Sequence, residues 1–338
     1  MHVCMLTYYY WPQQAGGTEN QCRRLVAQLV KEGISCEVLT SRYDIDVSAI
    51  DSDNGITVRR VPTFETVLQF LHLKPRSVNV ISSEMESTAS SYSTDESPHG
   101  RGAWRKALSS FLSLLVNYGN IICFSTATLY SLYRRRRSID ILHVHTAEWI
   151  AGLAALAGKI IKVPVVCKGA DTPVFPELSQ VPLPSVFNRW RKRPYFIALT
   201  EAMREDLISN DISAERISVI PNGVVVPDEC ADPGKSSSFL YVGNFSQTAA
   251  HKGFDVLIEA WAQVASERAD AKIVMVGKGN AQPWRHLAEE LGCLESIDFA
   301  GYQNDLTPYY QTSCCLLLPS RKEGMSNAVL EAQSYGLP

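Results

Sequence analysis

Several chemical signatures are absent from this sequence of 338 residues. It has neither the G-x-G-x-x-G fingerprint of dinucleotide-binding domains nor the G-x-x-x-x-G-K-[ST] phosphate loop, which argues against a Rossmann dehydrogenase and a P-loop nucleotidase. No C-x-x-C pair occurs, so the cysteines do not indicate a zinc site. The 32 basic and 35 acidic residues nearly balance, and we therefore predict no nucleic-acid partner.

The cysteines indicate the cellular compartment. There are nine, an odd number, and several, such as Cys4 and Cys167, lie in apolar strand-like runs. Buried, reduced thiols explain this distribution better than a disulfide framework does. The first residues also lack a basic segment followed by a cleavage motif, so the sequence predicts no secretory signal. We therefore predict a cytoplasmic protein.

Short strand-like runs alternate with amphipathic helices, a pattern typical of parallel sheets built from βαβ units. The predicted strands are His2–Tyr8, Ile34–Thr40, Ile139–His143, Val163–Cys167, Tyr195–Leu199, Ile217–Ile220, Phe239–Gly243, Lys272–Gly277, Ser296–Ala300 and Cys314–Leu318. The predicted helices are one that starts at Thr18 and stops at Gly33, and Glu148–Ile160, Glu201–Ser209, Phe254–Glu267, Gln282–Leu291, Asp305–Gln311 and Met325–Tyr335. We predict an α/β fold with two doubly wound domains facing across a cleft, at 1–227 and 239–338, joined by a linker at 228–238.

Two segments interrupt this alternation. Residues 77–102 are rich in Ser, Thr and Glu and poor in large apolar side chains, which predicts a disordered insertion. Residues 107–133 carry no charge and are followed by Arg134–Arg137. A core helix with a basic end is the simplest interpretation of this second segment.

A membrane offers two alternatives for the uncharged segment. About 20 apolar residues can cross a bilayer, but the strands before and after the segment need to share one sheet, which opposes a transmembrane helix. Shallow docking on the inner face of the membrane through 107–137 is the second alternative, because an apolar helix face would be combined with four arginines.

The last residues predict an interrupted domain. Gly336 resembles the C-cap of the last helix, and Leu337-Pro338 resembles the approach to another strand. A doubly wound domain does not usually stop there. We therefore expect the second domain to be incomplete because of a C-terminal truncation.

The strongest candidate for chemistry is a pair of carboxylates, Glu323 and Glu331, in the sequence EGMSNAVLE. Glu323 is expected in the loop at the carboxyl edge of a strand, where open α/β sheets bind ligands. The amides of Met325, Ser326 and Asn327 would begin the next helix and suit an anion. Two unrelated surface glutamates are the simpler interpretation of the pair alone.

A second group of residues combines glycines with a lysine. Gly243 and Asn244 follow a predicted strand, and Lys252 precedes a predicted helix, where a lysine can neutralise a diphosphate. Gly16 and Gly17 form the matching loop of the first domain. An ordinary helix-start loop with a solvated lysine explains these residues equally well.

His143 and His145 end another strand, and alternation places both imidazoles on one face. No Cys, Asp or Glu stands at ligand spacing, so a substrate-facing or core histidine is favoured over a metal pair. Lys168 ends the next strand and is expected nearby, although a plain strand-to-helix turn also fits its position.

Taken in order, these motifs resemble those of the retaining group 1 glycosyltransferases of family 4, which have the GT-B fold. The resemblance covers almost the whole chain, through Ala15-Gly-Gly-Thr-Glu, His143-Val-His, Ile220-Pro-Asn-Gly-Val, Tyr241-Val-Gly-Asn, Lys252-Gly-Phe-Asp and the Glu323/Glu331 pair. Only the last motif, in its context, is specific.

The resemblance implies transfer of a sugar from a nucleotide diphosphate sugar to a carbohydrate or lipid-linked acceptor, in polysaccharide or glycolipid synthesis. It implies retention of the anomeric configuration and neither a cofactor nor a metal. The catalytic residues it implies are Glu323, His145 and Lys252. The donor-binding residues it implies are Gly17, Gly243, Asn244, Lys252, Met325, Ser326, Asn327 and Glu331, with Gly16, His145 and Lys168 on the acceptor side.

Within this set the resemblance assigns different roles. Glu331 would hold the donor ribose and Glu323 would contact the donor sugar. Lys252 would stabilise the charge of the leaving diphosphate. Besides the expected loss of the family's C-terminal strand and helices, two departures weaken the resemblance: Asn244 stands where many members have Arg, and Lys168 where many have His. They favour the alternative of a non-catalytic nucleotide-binding or degenerate GT-B protein, which the retention of Lys252, Glu323 and Glu331 opposes.

Overall fold

The computed structural model describes residues 1–12, 17–73, 101–170, 172–178, 180–245, 252–321 and 323–338. The chain divides into two compact units, unit 1 at Met1–Ile220 and unit 2 at Pro221–Pro338. Both are α/β units with parallel sheets, which confirms the predicted fold class.

Unit 1 contains an eight-stranded sheet with the order β3-β4-β2-β1-β5-β6-β7-β8. Its strands are β1 (His2–Leu6), β2 (Ser35–Arg42), β3 (Ile50–Asp53), β4 (Ile56–Pro62), β5 (Ile141–Val144), β6 (Val165–Lys168), β7 (Tyr195–Ala198) and β8 (Ile217–Val219). All neighbours pair in parallel except β3 and β4. The six strands predicted for this unit are therefore confirmed.

Helices connect these strands and cover the sheet. They are α1 (Gly17–Lys31), α2 (Phe64–Phe70), α3 (Arg101–Arg134), α4 (Trp149–Ile161), α5 (Pro184–Arg191) and α6 (Glu201–Ser209). Local chemistry sets several of their ends. The Thr200 hydroxyl accepts a hydrogen bond from the Met203 amide at the start of α6, and Thr63 forms a capping box with Thr66 at the start of α2.

The hairpin β3–β4 and helices α2 and α5 were not predicted from the sequence. Asn54 and Gly55, which join the two strands of the hairpin, both have positive φ angles, of 51° and 83°. An Asn-Gly turn is a strong hairpin signal, so this pattern was available. Arg59 and Arg60 interrupt the apolar run of β4, and β3 is mostly polar and acidic, so neither strand was identified.

Helix α3 is 34 residues long and includes the uncharged segment. Its second half has a buried stripe, formed by Asn120, Ile121, Phe124, Thr128 and Leu132 at helical spacing. This half packs against β4, α2 and α4. The prediction of a core helix is therefore correct for half of the segment. By length and composition Ser110–Arg134 is also apolar enough to cross a membrane, although about a fifth of its best window is buried in the protein (22%).

An ionic cluster anchors the end of α3 to the sheet. Glu37 on β2 is almost completely buried, and it accepts hydrogen bonds from Arg135 and, at 2.9 Å, from Arg59. His2 lies 3.5 Å from the same carboxylate. Burial alone would raise the pKa of Glu37, but Arg135 and Arg59 outweigh it, so the pKa is lowered and the carboxylate stays ionised.

Unit 2 contains a four-stranded parallel sheet with the order β11-β10-β9-β12. Its strands are β9 (Ser238–Val242), β10 (Lys272–Val276), β11 (Ile297–Gly301) and β12 (Cys315–Leu316), and its helices are α7 (Phe254–Glu267), α8 (Gln282–Glu290), α9 (Thr307–Thr312) and α10 (Asn327–Ser334). Every predicted strand and helix of this unit is found. Buried aromatic residues of β9 and α7, such as Tyr241, Phe254 and Trp261, form its larger core.

The boundary between the units falls after Ile220, seven residues before the predicted end of the first domain. The predicted linker, 228–238, lies within unit 2. There the Ala231 amide donates to the Tyr335 carbonyl at 2.8 Å, and the Ser236 hydroxyl donates to the Thr312 carbonyl at 2.7 Å. The predicted insertion at 77–102 lies outside the described residues, except for the last two, which begin α3.

Candidate functional site

The strand order of unit 2 places a crevice beside β9. The chain runs from β9 to β10 and β11 on one side, and then crosses to β12 on the other side. The direction of winding therefore reverses between β9 and β12. In open parallel sheets such a switch point, at the carboxyl ends of the strands, is where ligands bind. Gly243 and Asn244 follow β9 here, and Glu323 follows β12.

Lys252 and Glu323 meet at this edge of the sheet. The Lys252 Nζ donates a hydrogen bond to Glu323 Oε1 at 2.6 Å, and the two side chains are 27% and 24% exposed. The backbone next to them leaves no room for a side chain. Gly253, the N-cap of α7, has a φ of 68°, and a side chain on it would collide with the backbone of Pro319. The candidate cation and the candidate carboxylate are therefore paired with each other.

Helix α10 starts two residues later than predicted. Ser326 has extended backbone angles and is the N-cap, so the helical amides begin at Asn327 and Met325 lies before the helix. The serine is an N-cap in position only, because its side chain makes no capping hydrogen bond. The first-turn amides of a helix have no acceptor within the helix, so this end of α10 favours an anion.

Asn222 fixes the approach to α10, a role that the sequence did not predict. Its amide Nδ2 donates to Asn327 Oδ1 at 3.0 Å, and its backbone N–H donates to the Met325 sulfur at 3.3 Å. The Asn222 Oδ1 is buried and has no hydrogen-bond partner among the described residues. The sequence Pro-Asn-Gly marked a turn at this point, which was the available signal.

Glu331 lies in the second turn of α10, and Tyr310 holds it in place. The Tyr310 hydroxyl donates to Glu331 Oε2 at 2.9 Å, and the Tyr310 side chain is almost completely buried. Its ring stacks on Tyr335 with the centroids 5.1 Å apart. One carboxylate oxygen of Glu331 is thus oriented by a residue of α9, which sequence reasoning did not identify because the two residues are far apart in the chain.

Gly243 and Asn244 lie where the sequence predicted, directly after β9. The Gly243 amide donates to the Val276 carbonyl at 2.9 Å, so it continues the pairing with β10. A side chain at Gly243 would collide with the ring of Tyr241. Asn244 is exposed, and its Oδ1 accepts a hydrogen bond from the Lys278 amide at 3.4 Å.

Unit 1 has a switch point of its own, between β1 and β5. The chain runs from β1 to β2 on one side, and β5 lies on the other side. Gly17 is the first residue of α1, which follows β1, and His145 directly follows β5. The structure therefore brings both residues to this edge. Gly16 lies outside the described residues.

His143, His145 and Lys168 lie on one face of this sheet. The two imidazole rings stack with centroids 4.8 Å apart, and each histidine has a buried Nε2 without a hydrogen-bond partner among the described residues. Burial and then Lys168 lower the pKa of His143 to about 4, and burial, His143 and Lys168 lower the pKa of His145 well below 6.5. Both histidines are therefore neutral at pH 7.

The described residues contain no group of three or more His, Cys, Asp or Glu side chains that could hold a metal ion. All nine cysteines are free thiols, and only Cys230 is exposed.

Two family models match the chain. A model of "Glycosyl transferases group 1" matches residues 236–338, and a model of "Glycosyltransferase Family 4" matches residues 91–226. These two ranges include most of both units, and they contain the Glu323/Glu331 pair, Lys252, His145 and Lys168.

Two curated relatives share a shorter stretch of sequence. The chain is 31% identical over 147 residues to an uncharacterised glycosyltransferase of Haemophilus influenzae, a match to 42% of this chain and 40% of the relative. It is 28% identical over 152 residues to the lipopolysaccharide 1,6-galactosyltransferase of Salmonella typhimurium, a match to 43% of this chain and 41% of the relative. The match therefore spans about two fifths of the length of each relative.

Solved structures are similar over the whole chain. HepE of Anabaena, in complex with UDP and glucose, has a TM-score of 0.62 and 16% sequence identity, over 100% of this chain and 79% of HepE. At this identity the likeness shows the fold, which is that of the GT-B glycosyltransferases. With both family models in agreement, the chain belongs to the group 1 glycosyltransferases of family 4.

Proposed function

We propose that this protein transfers a sugar from a nucleotide diphosphate sugar to a carbohydrate acceptor, with the anomeric configuration retained. One observation carries the proposal: a lysine, a carboxylate and a helix N-terminus converge at the switch point of unit 2. A ligand with a diphosphate and a sugar matches that combination, because the cation and the amides bind phosphate oxygens and the carboxylate accepts hydroxyl hydrogen bonds.

The chemistry follows from the charge of the leaving group. Cleavage of the glycosidic bond places additional negative charge on the diphosphate, which Lys252 and the first-turn amides of α10 would stabilise. Glu323 would contact the donor sugar, and Glu331, with one oxygen held by Tyr310, would accept hydrogen bonds from the ribose. We propose that these groups replace a metal ion, so that the donor binds without one.

The nucleotide of the donor is proposed to be a uridine diphosphate. HepE, which shares the fold, was solved with UDP and glucose. The acceptor is proposed to bind in unit 1, at the edge where His145 and Lys168 lie. A neutral imidazole such as that of His145 can donate or accept a hydrogen bond from a sugar hydroxyl.

We further propose that the acceptor is linked to a lipid and that α3 docks on the cytoplasmic face of a membrane. A helix of 34 residues is about 51 Å long, whereas the longest strand of unit 1 spans about 27 Å. Because α3 ends at Arg134, shortly before β5 begins at Ile141, we propose that its first half extends past the carboxyl edge of the sheet. There it exposes large apolar side chains, namely Leu108, Phe111, Leu112 and Leu115.

Release of UDP tests the proposed activity. Purified protein is incubated with UDP-sugars and candidate acceptors, and UDP is measured with Lys252→Met and Lys272→Met variants alongside the wild type. Lys272 lies in the same sheet, at the opposite edge, and is exposed, so its variant is a matched control. We expect release only when residue 252 is a lysine. UDP binding without release, across donors and acceptors, would instead favour the non-catalytic alternative.

Membrane docking has its own experiment. Sedimentation with vesicles of phosphatidylglycerol and phosphatidylcholine is measured for the wild type, for Phe111→Ser/Leu112→Ser and for Val30→Ser, which changes an exposed apolar residue of α1. Docking through α3 requires that only the double variant fails to sediment. Equal sedimentation of all three proteins would contradict it.

A further inference from the structure

Unit 1 contains a buried lysine whose charge no described residue neutralises. Lys168 is the last residue of β6 and is only 9% exposed. Within the described ranges it forms neither an ion pair nor a hydrogen bond. A buried ammonium group without a partner is costly, so stability does not explain a lysine at this position.

The position of Lys168 is that of a ligand-binding group. It ends a strand at the carboxyl edge of the sheet, next to the switch point between β1 and β5. In the parallel register of β5 and β6, His143 lies opposite Val166. Since side chains alternate along a strand, His143, His145 and Lys168 all project from the same face.

Helix α1 covers that face and adds to its positive potential. Met5, which lies opposite His143 in the register of β1 and β5, packs against Cys22 and Val26 of α1. The helix is 15 residues long and starts at Gly17, so its positive end lies at the same edge of the sheet as Lys168. Two independent features, a buried cation and a helix N-terminus, therefore attract an anion to one place.

The other titratable groups that the structure describes around Lys168 do not balance its charge. The buried Cys22 thiol, whose pKa burial and Glu19 raise to about 12, stays protonated. Both histidines are neutral at pH 7, because burial lowers their pKa values. Glu19, in the first turn of α1, contributes to the raised pKa of Cys22. Among the described residues, the balance of charge around Lys168 is therefore positive.

We infer that Lys168 binds an anionic group of a sugar substrate, a carboxylate or a phosphate, at the carboxyl edge of the unit 1 sheet. The inference rests on the proposed function and names a substrate class for it: an acidic sugar, either as the donated sugar or as part of the acceptor. A neutral hexose has no group that would neutralise a buried ammonium, whereas a uronic acid or a sugar phosphate does.

Two pairs of probes test this with the full chain. For the donor, calorimetry compares UDP-glucuronate with UDP-glucose. For the acceptor, it compares glucuronate with glucose, with and without saturating UDP, at matched ionic strength. Each titration uses the wild type, Lys168→Met, Lys168→Arg and the control Lys162→Met, which removes an exposed lysine after α4.

We expect the wild type to prefer the acidic member of one pair by about tenfold or more, the ratio for one charge-assisted hydrogen bond. The preference should disappear in Lys168→Met, persist in Lys168→Arg and be unchanged in Lys162→Met. The pair that shows it identifies donor or acceptor as the source of the anion. No preference in either pair, or one that survives in Lys168→Met, overturns the inference.

The melting temperature and the affinity for UDP distinguish a failure of this inference from a failure of the proposed function. Without sugar, Lys168→Met should melt at the same or a higher temperature than the wild type, because it removes an unpaired buried charge. A clearly lower melting temperature would show that the ammonium has a stabilising partner, and would overturn the inference. Loss of UDP binding in the wild type would instead refute the proposed function, and the comparison of glucuronate with glucose would still decide the role of Lys168.

Discussion

The ion pair between Lys252 and Glu323 makes an unusual prediction: removing a candidate catalytic carboxylate should tighten the binding of the nucleotide. A diphosphate that binds Lys252 has to compete with Glu323, whose Oε1 lies 2.6 Å from the Lys252 Nζ. Both side chains are about three quarters buried, so the pair lies between exposed pairs, worth about 0.2–1 kcal/mol, and fully buried ones, whose disruption costs about 3–5 kcal/mol.

A competing interaction of about 1.5 kcal/mol corresponds to roughly a tenfold change in affinity. Glu323→Gln removes the negative charge and keeps the size of the side chain. We therefore expect this variant to bind UDP about tenfold more tightly than the wild type, while it releases UDP from a UDP-sugar at least a hundredfold more slowly, roughly the loss for one transition-state contact.

Isothermal titration with UDP measures the first effect and a coupled assay of UDP release measures the second. The matched control is Asp255→Asn, which breaks the exposed ion pair between Asp255 and Arg321 near the start of α7 and should change neither quantity. Weaker binding of UDP by Glu323→Gln would refute the reasoning, because it would show that the carboxylate supports the phosphate site and does not compete for its lysine.

Three further predictions follow from single groups. Burial lowers the pKa of His143 to about 4, so the unfolded chain takes up a proton at higher pH than the folded chain does, and the free energy of unfolding should fall by about 3 kcal/mol between pH 6.5 and 4. Denaturant titrations should show a smaller fall in His143→Leu and the wild-type fall in His286→Leu. A free energy of unfolding that does not change with pH in the wild type would contradict this. Tyr310→Phe should weaken UDP binding about fivefold, because it removes the hydrogen bond from Tyr310 to one Glu331 oxygen, whereas Tyr309→Phe should leave UDP binding unchanged. If calorimetry gives the same UDP affinity for Tyr310→Phe and the wild type, Tyr310 does not orient Glu331 for binding. Excess EDTA should leave the affinity of a metal-stripped sample for UDP unchanged, and loss of binding would show that protein groups do not replace a metal.

The sequence predicted regular elements well where apolar residues follow one another without interruption. All ten predicted strands are present, because parallel strands buried on both faces are continuous apolar runs. It missed β3, β4, α2 and α5, although Asn54-Gly55 marked the hairpin; Arg59 and Arg60 interrupt the apolar run of β4. It also placed the start of α10 at Met325, since a helix start depends on the backbone angles of Ser326, which composition does not report.

For the site, the sequence predicted a class of ligand and a set of residues, most of which the structure places at the ends of strands or the starts of helices. A glycine, a lysine and two glutamates, each expected at the end of a strand or the start of a helix, reach one edge of a sheet because parallel strands align their carboxyl ends. Only the tertiary structure decided their partners. Lys252 meets Glu323 across 71 residues, and Tyr310 meets Glu331 across 21. Contacts between residues so far apart in the chain depend on the order of the strands in the sheet and on burial. The local sequence determines only the spacing of apolar residues, and so the type of each helix or strand. The burial of Lys168, and its lack of an ion pair within the part of the chain that the structure describes, are visible only in the folded chain for the same reason, because both are properties of the packed sheet and its helices.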